Sequence, residues 1–108
     1  MNPGWIGILA AVLFFTSAAP ALADEALARK SGCFECHSVD KKVIGPPFRD
    51  VAAKYRHDSR ARADLFDKVR DGGKGNGTQM TGGVPMPPFS GRLTATEIEQ
   101  LVAWILGR

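Results

Sequence analysis

Two cysteines and a histidine fall within one run of five residues, Cys33-Phe34-Glu35-Cys36-His37, and no other pattern constrains the fold as tightly. The spacing reads C-x-x-C-H, the arrangement by which a c-type haem is attached. On a helical turn, positions i and i+3 share a face. Cys33 and Cys36 can therefore reach two points on one side of a flat macrocycle and add to its two vinyl groups. His37 follows at once and can swing its imidazole beneath the ring centre, where haem iron accepts a histidine nitrogen.

A bare C-x-x-C also occurs in redox dithiols, disulfides and zinc sites. A structural zinc site usually takes four Cys or His ligands, and the chain offers only Cys33, Cys36, His37 and His57. Cys36 and His37 are adjacent, an awkward placement for two ligands of one tetrahedral ion. A thioredoxin-like dithiol would need a βαβ setting, whereas the surrounding sequence has helical spacing. A Cys33–Cys36 disulfide stays open as a minor alternative.

The N-terminus resembles an export signal. Residues 1–23 carry no charged side chain, Ile6 to Phe15 is an unbroken run of apolar residues and glycine, and Ala21-Leu22-Ala23 matches a small-x-small cleavage site. The expected cut follows Ala23, which makes 1–23 a cleaved secretory signal peptide and 24–108 a single small domain of 85 residues. The n-region lacks Lys and Arg, so an uncleaved anchor is the alternative, although the apolar run is short for a span of about 20 residues. Export to the periplasm suits covalent haem attachment, and oxidising compartments favour disulfides as well. No stable membrane insertion is expected after cleavage. A domain this small buries a modest core, and a covalent haem would staple it.

All 14 Lys and Arg and all 11 Asp and Glu lie after the expected cut, leaving a formal charge of +3 that two haem propionates would largely offset. There is no aromatic-interleaved basic stripe of the kind that binds nucleic acid, so no nucleic-acid partner is expected.

The spacing predicts a first helix from Asp24 to Cys36, with two acidic residues in its first turn and Gly32 available for close backbone approach. A loop spans Lys41 to Pro47. Phe48, Val51, Ala52 and Tyr55 recur at i, i+3, i+4 and i+7, so a second helix follows Pro46-Pro47. A third is capped by Asp58 or Ser59, turns Leu65, Phe66 and Val69 inward and ends at Gly72-Gly73. Residues 72–92 are dominated by glycine and proline, and a loop of that length in so small a domain points to function or disorder. The last helix is the clearest: Thr94 and Glu97 have capping-box spacing, and Ile98, Leu101, Val102 and Ile105 form an apolar stripe with Trp104 at its edge. No strand alternation and no internal repeat is present.

Met86 sits in that loop, within Val84-Pro85-Met86-Pro87-Pro88. Prolines fix φ and make a stiff frame. A thioether is a soft iron ligand, and His/Met ligation raises the reduction potential. Met80, in the polar run Gly77-Thr78-Gln79-Met80-Thr81-Gly82, is the rival sixth ligand but has no rigid support. Methionine also commonly fills core gaps, the plain alternative for both. His57, beside Arg56 and Asp58, reads as a surface histidine.

These residues together resemble the short monohaem class I cytochromes c of bacteria. The resemblance rests on Gly32-Cys33-x-x-Cys36-His37, on Ile44-Gly45-Pro46-Pro47-Phe48-Arg49-Asp50-Val51-Ala52, on Pro85-Met86-Pro87-Pro88 and on Leu101-Val102-Ala103-Trp104, in that order along the chain. It is most similar to the subgroup that donates electrons to periplasmic nitrite reductases and terminal oxidases. The resemblance implies thioethers from Cys33 and Cys36 to one covalent haem c, axial ligands His37 and Met86, and a Pro46 carbonyl accepting the His37 Nδ1–H. It also implies that Gly32 meets the last helix near Trp104. Two departures stand out. The loop from Gly72 to Met86 is glycine-rich and long for the shortest members, and it lacks a tryptophan that some members use to bond a haem propionate, which leaves Lys74, Asn76, Gln79 or Arg49 as substitutes.

The expected protein is all-α, a cytochrome c fold of about four helices around one covalently attached haem. It would be a monomeric periplasmic one-electron carrier, not an enzyme, whose iron cycles between ferrous and ferric. Its partners would be redox proteins: a donor such as a quinol-oxidising complex and an acceptor such as a reductase or oxidase. The alternatives are a haem subunit of a larger oxidoreductase, a ligand-binding haem sensor or weak peroxidase with an open iron position, and a haem-free disulfide or zinc module.

Overall fold

The computed structural model describes residues 3–4, 7–15, 20–73 and 81–108. Four α-helices carry the fold among them: α1 (Pro20–Lys30), α2 (Phe48–Lys54), α3 (Ala61–Asp71) and α4 (Ala95–Leu106). A short 3-10 turn, Cys33–Glu35, lies between α1 and α2. None of the described helices is long and apolar enough to cross a membrane.

The first helix differs from expectation at both ends. It begins at Pro20, a residue whose fixed φ suits a first helical position, and it stops at Lys30 rather than reaching Cys36. Asp24 and Glu25 therefore lie beyond the first turn, and Glu25 pairs with Arg29 at 3.0 Å instead. The stop is set by Gly32, whose φ of 90° lies in the left-handed region that only glycine enters at little cost. The chain leaves the helix there, and the cysteines sit on the tighter 3-10 turn that follows.

α2 and α3 start and end close to where their apolar spacing places them. Phe48 and Ala52 are the buried residues of α2, and Ala61, Leu65 and Val69 those of α3. Phe66 is only partly buried. Neither Asp58 nor Ser59 is the N-cap of α3; Arg60 is. Asp58 acts two residues earlier, its Oδ1 accepting the Arg60 N–H at 2.8 Å.

α4 holds the assembly together. Alone among the described helices it packs against the other three. Its start is a complete capping box: the Glu97 N–H donates to Thr94 Oγ1 at 3.2 Å, and the Thr94 N–H donates to Glu97 Oε1 at 3.0 Å. Its buried side is broader than the expected stripe. Trp104 lies not at the edge but inside, 4% exposed, because a helix with three neighbours buries more than one row of side chains. Trp104 meets Phe48 edge-on with centroids 5.3 Å apart and Phe34 at 6.2 Å. The core continues through Ala28 of α1, Phe89 and the inner faces of α2 and α3.

Candidate haem site

Cys33, Cys36, His37 and Met86 all line one cavity of about 500 Å³, within the range of roughly 300–1,000 Å³ usual for cofactor and ligand sites. Its walls are mostly apolar: Ile44, Phe48 and Val51 from the His37 side, Leu65 and Val69 from α3, Leu101 and Ile105 from α4. The two cysteines are free thiols, half-buried, and burial pushes the Cys33 thiol above its ordinary value.

The 3-10 turn is closed by bonds from the Cys36 and His37 N–H groups to the Cys33 carbonyl, at 3.3 and 2.9 Å. His37 is held from several directions. Its Nδ1 lies 2.7 Å from the Pro46 carbonyl oxygen. A carbonyl can only accept, so Nδ1 carries the proton and Nε2 keeps its lone pair for a metal. The ring stacks on Phe48, with centroids 5.1 Å apart and planes inclined by 21°. Gly45 completes the fit: a Cβ there would fall 2.5 Å from the ring Cε1, closer than real atoms approach. The loop carrying Gly45 and Pro46 is tied down by bonds from the Ile44 and Gly45 N–H groups to the Cys36 carbonyl, at 3.1 and 2.7 Å.

Met86 is carried differently from what its proline neighbours suggest. Its N–H donates to the Gly73 carbonyl at 3.2 Å, and its carbonyl accepts the Gly73 N–H at 2.8 Å, an isolated antiparallel bridge. The prolines have no N–H to give, so Met86 itself makes the attachment. The rival Met80 lies outside the described residues.

The three atoms nearest to a Cβ placed on Gly32 all belong to Glu35, at 3.7–3.8 Å; its φ of 90° makes the left-handed turn, and Ala28 is the fully buried residue among those described in α1. His57 is exposed and takes no part in lining the cavity. Among the described residues no three His, Cys, Asp or Glu side chains gather as a metal cage.

Of the suggested propionate partners, Lys74, Asn76 and Gln79 lie outside the described residues. Arg49 is paired with Asp40 at 2.9 Å and is not part of the cavity wall. The cations that do line the cavity are Lys54, Lys68 and Arg92, with Tyr55 beside them. The Tyr55 hydroxyl is pushed above its usual pKa by burial and then by Asp64 and Asp58, so it is a donor at neutral pH. Sequence reasoning passed over these residues because Lys54 and Lys68 sit at helix ends where a cation is expected anyway.

The set fits haem: two thiols three residues apart, a histidine whose free nitrogen is Nε2, a methionine, an apolar chamber and cations for carboxylates. Such a fold and site define an all-α protein of haem binding and electron transfer. The chain belongs to the cytochrome c family, whose model matches residues 23–108. It is 52% identical over 92 residues to cytochrome c-551 of Allochromatium vinosum, covering 85% of this chain and 93% of that protein. It is 37% identical over 106 residues to cytochrome c-552 of Nitrosomonas europaea, covering 98% of this chain and 97% of that one. The crystal structure of wild-type Nitrosomonas europaea cytochrome c552 superposes with a TM-score of 0.67 at 36% identity, over 77% of this chain and 96% of that one. The all-α fold is thus the cytochrome c fold.

Proposed function

We propose that this protein is a periplasmic one-electron carrier with a single covalent haem c, bound through Cys33 and Cys36 and ligated by His37 and Met86. The observation that carries the reading is that Met86 lines the same cavity as the C-x-x-C-H run although 49 positions separate it from His37. When bound, haem supplies an iron that moves between ferrous and ferric.

The chain's own residues do the rest. Cys33 and Cys36 fix the ring covalently. The Pro46 carbonyl, Phe48 and Gly45 hold the His37 ring at one tautomer and one angle, as outer partners of a metal-bound histidine do. Met86, tied to Gly73, would offer its sulfur to the iron from a fixed backbone. Leu65, Val69, Leu101 and Ile105 keep water from the chamber, and His/Met ligation in such a site raises the potential. Lys54, Lys68 and Arg92 offset the haem carboxylates. With His37 and Met86 both lining the cavity, the protein would supply two ligands to the iron and leave no open position, which favours a carrier over an enzyme or a sensor.

The leader reading, cleavage after Ala23, is part of the proposal; it is supported by residues 1–23 lacking charge and by Ile8, Leu9 and Leu13–Phe15 standing 77–97% exposed in the full chain. The partners are redox proteins, a quinol-oxidising donor and a reductase or oxidase acceptor, met by a monomer. Haem staining of the denatured protein tests attachment, since only covalent haem survives. Met86→Ala should then abolish the weak far-red sulfur–iron band of the oxidised form. Rapid carbon monoxide binding by the reduced wild type at neutral pH would overturn His/Met ligation.

A further inference from the structure

We infer that the C-terminal end of α3, with Gly72 as its C-cap, is the mount that positions Met86, and that this mount rather than the proline frame keeps the sixth iron position closed. The inference rests on Met86 being the sixth ligand.

The last carbonyls of any helix lack partners within it. In α3 they are taken by the segment that follows Met86. The Phe89 N–H points at the carbonyls of Val69 and Arg70, at 3.2 and 3.1 Å, and the Ser90 N–H donates to Arg70 at 3.2 Å. One turn on, Gly73 and Met86 exchange both of their backbone bonds. Lys68 Nζ donates to the Gly73 carbonyl at 3.2 Å, so this side chain also ties the bridge to the helix. Met86 to Ser90 is thereby fastened to α3 by backbone bonds that bypass the intervening loop.

Gly72 makes this close approach possible. Its φ of 62° and ψ of −144° lie in a region open essentially to glycine alone. A Cβ there would fall 2.3 Å from the Met86 carbonyl oxygen and 2.7 Å from the Pro87 carbonyl carbon. Gly73 is the internal contrast: its φ is also positive, at 102°, yet a Cβ there would meet nothing within 4 Å. Alanine at 72 must push Met86 off the helix end; alanine at 73 would clash with nothing, although it would strain the backbone that bonds Met86. Gly72 is thus a positioning residue, acting on the iron through Met86.

The test compares Gly72→Ala, Pro85→Ala and Ile98→Ala in the haem-loaded protein. Ile98 is a buried core residue, 2% exposed, outside the cavity wall, and its truncation controls for lost stability. Gly72→Ala should lose the far-red band, lower the reduction potential and bind carbon monoxide about tenfold faster when reduced, the change that a loss of about 1.4 kcal/mol from the closed state gives. Pro85→Ala and Ile98→Ala should keep the band. A wild type without the band refutes Met86 ligation itself. With the band present in the wild type and lost in Met86→Ala, its retention in Gly72→Ala, or its loss in Pro85→Ala, overturns the mount. Should Gly72→Ala not fold, native-state amide exchange on the wild type decides the same point. The Gly73 and Met86 amides should exchange as slowly as those of Leu65 and Val69, within one cooperative unit; exchange at loop-like rates overturns the mount.

Discussion

The ring of His37 and the backbone of Gly45 are in contact so close that no side chain fits between them: a Cβ on Gly45 would lie 2.5 Å from the imidazole Cε1 and 2.9 Å from Nδ1. The same Nδ1 bonds the Pro46 carbonyl one residue later. Gly45→Ala should therefore act on His37, the proposed ligand, rather than only on the loop. Overpacking of this kind costs about 1–3 kcal/mol, and relief by tilting the ring would lengthen the bond to Pro46. Denaturant unfolding should show the loss in stability, and the reduction potential should move with it. An unchanged potential at reduced stability would separate the loop from the ligand.

Phe48 joins the site to the core. It is 3% exposed, stacks on His37 and meets Phe34 and Trp104 edge-on. Phe48→Ala should cost about 3–5 kcal/mol, a large share of the 5–15 kcal/mol that a domain usually has. The expected outcome is a lower denaturation midpoint together with a broadened or shifted His37 ring signal in NMR spectra. Loss of stability with the His37 environment intact would show that Pro46 and Gly45 orient the ring without help.

Much of this architecture is written locally in the chain. Phe48, Val51 and Ala52 mark α2 by their spacing, Leu65 and Val69 mark α3, and Thr94 with Glu97 announces α4, because each signal lies within one or two turns. The C-x-x-C-H run declares its chemistry for the same reason. The support of Met86 is a different kind of feature. Gly73 and Met86 pair across thirteen positions with a single bridge, which has no period to read, and the prolines beside Met86 draw attention to stiffness instead. Gly32 similarly suggests close packing in the sequence, while its φ of 90° shows that turning the chain is its task. The basic cavity lining by Lys54 and Lys68 is a tertiary fact, since either residue would suit a solvated helix end equally well.

The proposed export makes a sharp prediction about α1. The expected cut after Ala23 falls inside the helix, four residues past its start at Pro20. The mature chain would begin at Asp24 and retain Glu25–Arg29, the pair at 3.0 Å, and Ala28, the residue with no exposed surface. The helix should thus survive processing with its packing on α4 intact. Mass spectrometry of protein from the native compartment should give a chain starting at Asp24 plus one haem. A mass that includes Met1 would turn the leader into an anchor.

The capping box of α4 should make stability depend on acidity in one direction. The Glu97 carboxyl is held below its usual pKa, first by the backbone N–H of Thr94, then by its side chain, with a smaller contribution from Lys30. A carboxyl whose folded pKa is depressed binds fewer protons in the folded state, so its contribution is complete above the unfolded value of about 4.3 and drains as pH falls through the lower folded value. Thr94→Ala removes the partner of the Glu97 N–H and should cost about 1 kcal/mol, seen as a Tm lower by about 4–8 °C in a domain of this size. Glu97→Gln keeps an acceptor for the Thr94 N–H but cannot titrate. Thermal melts between pH 3 and pH 7 should show a shallower acid loss for Glu97→Gln than for the wild type. Equal slopes would mean that other carboxylates, and not the cap of the helix that binds the fold together, govern its acid limit.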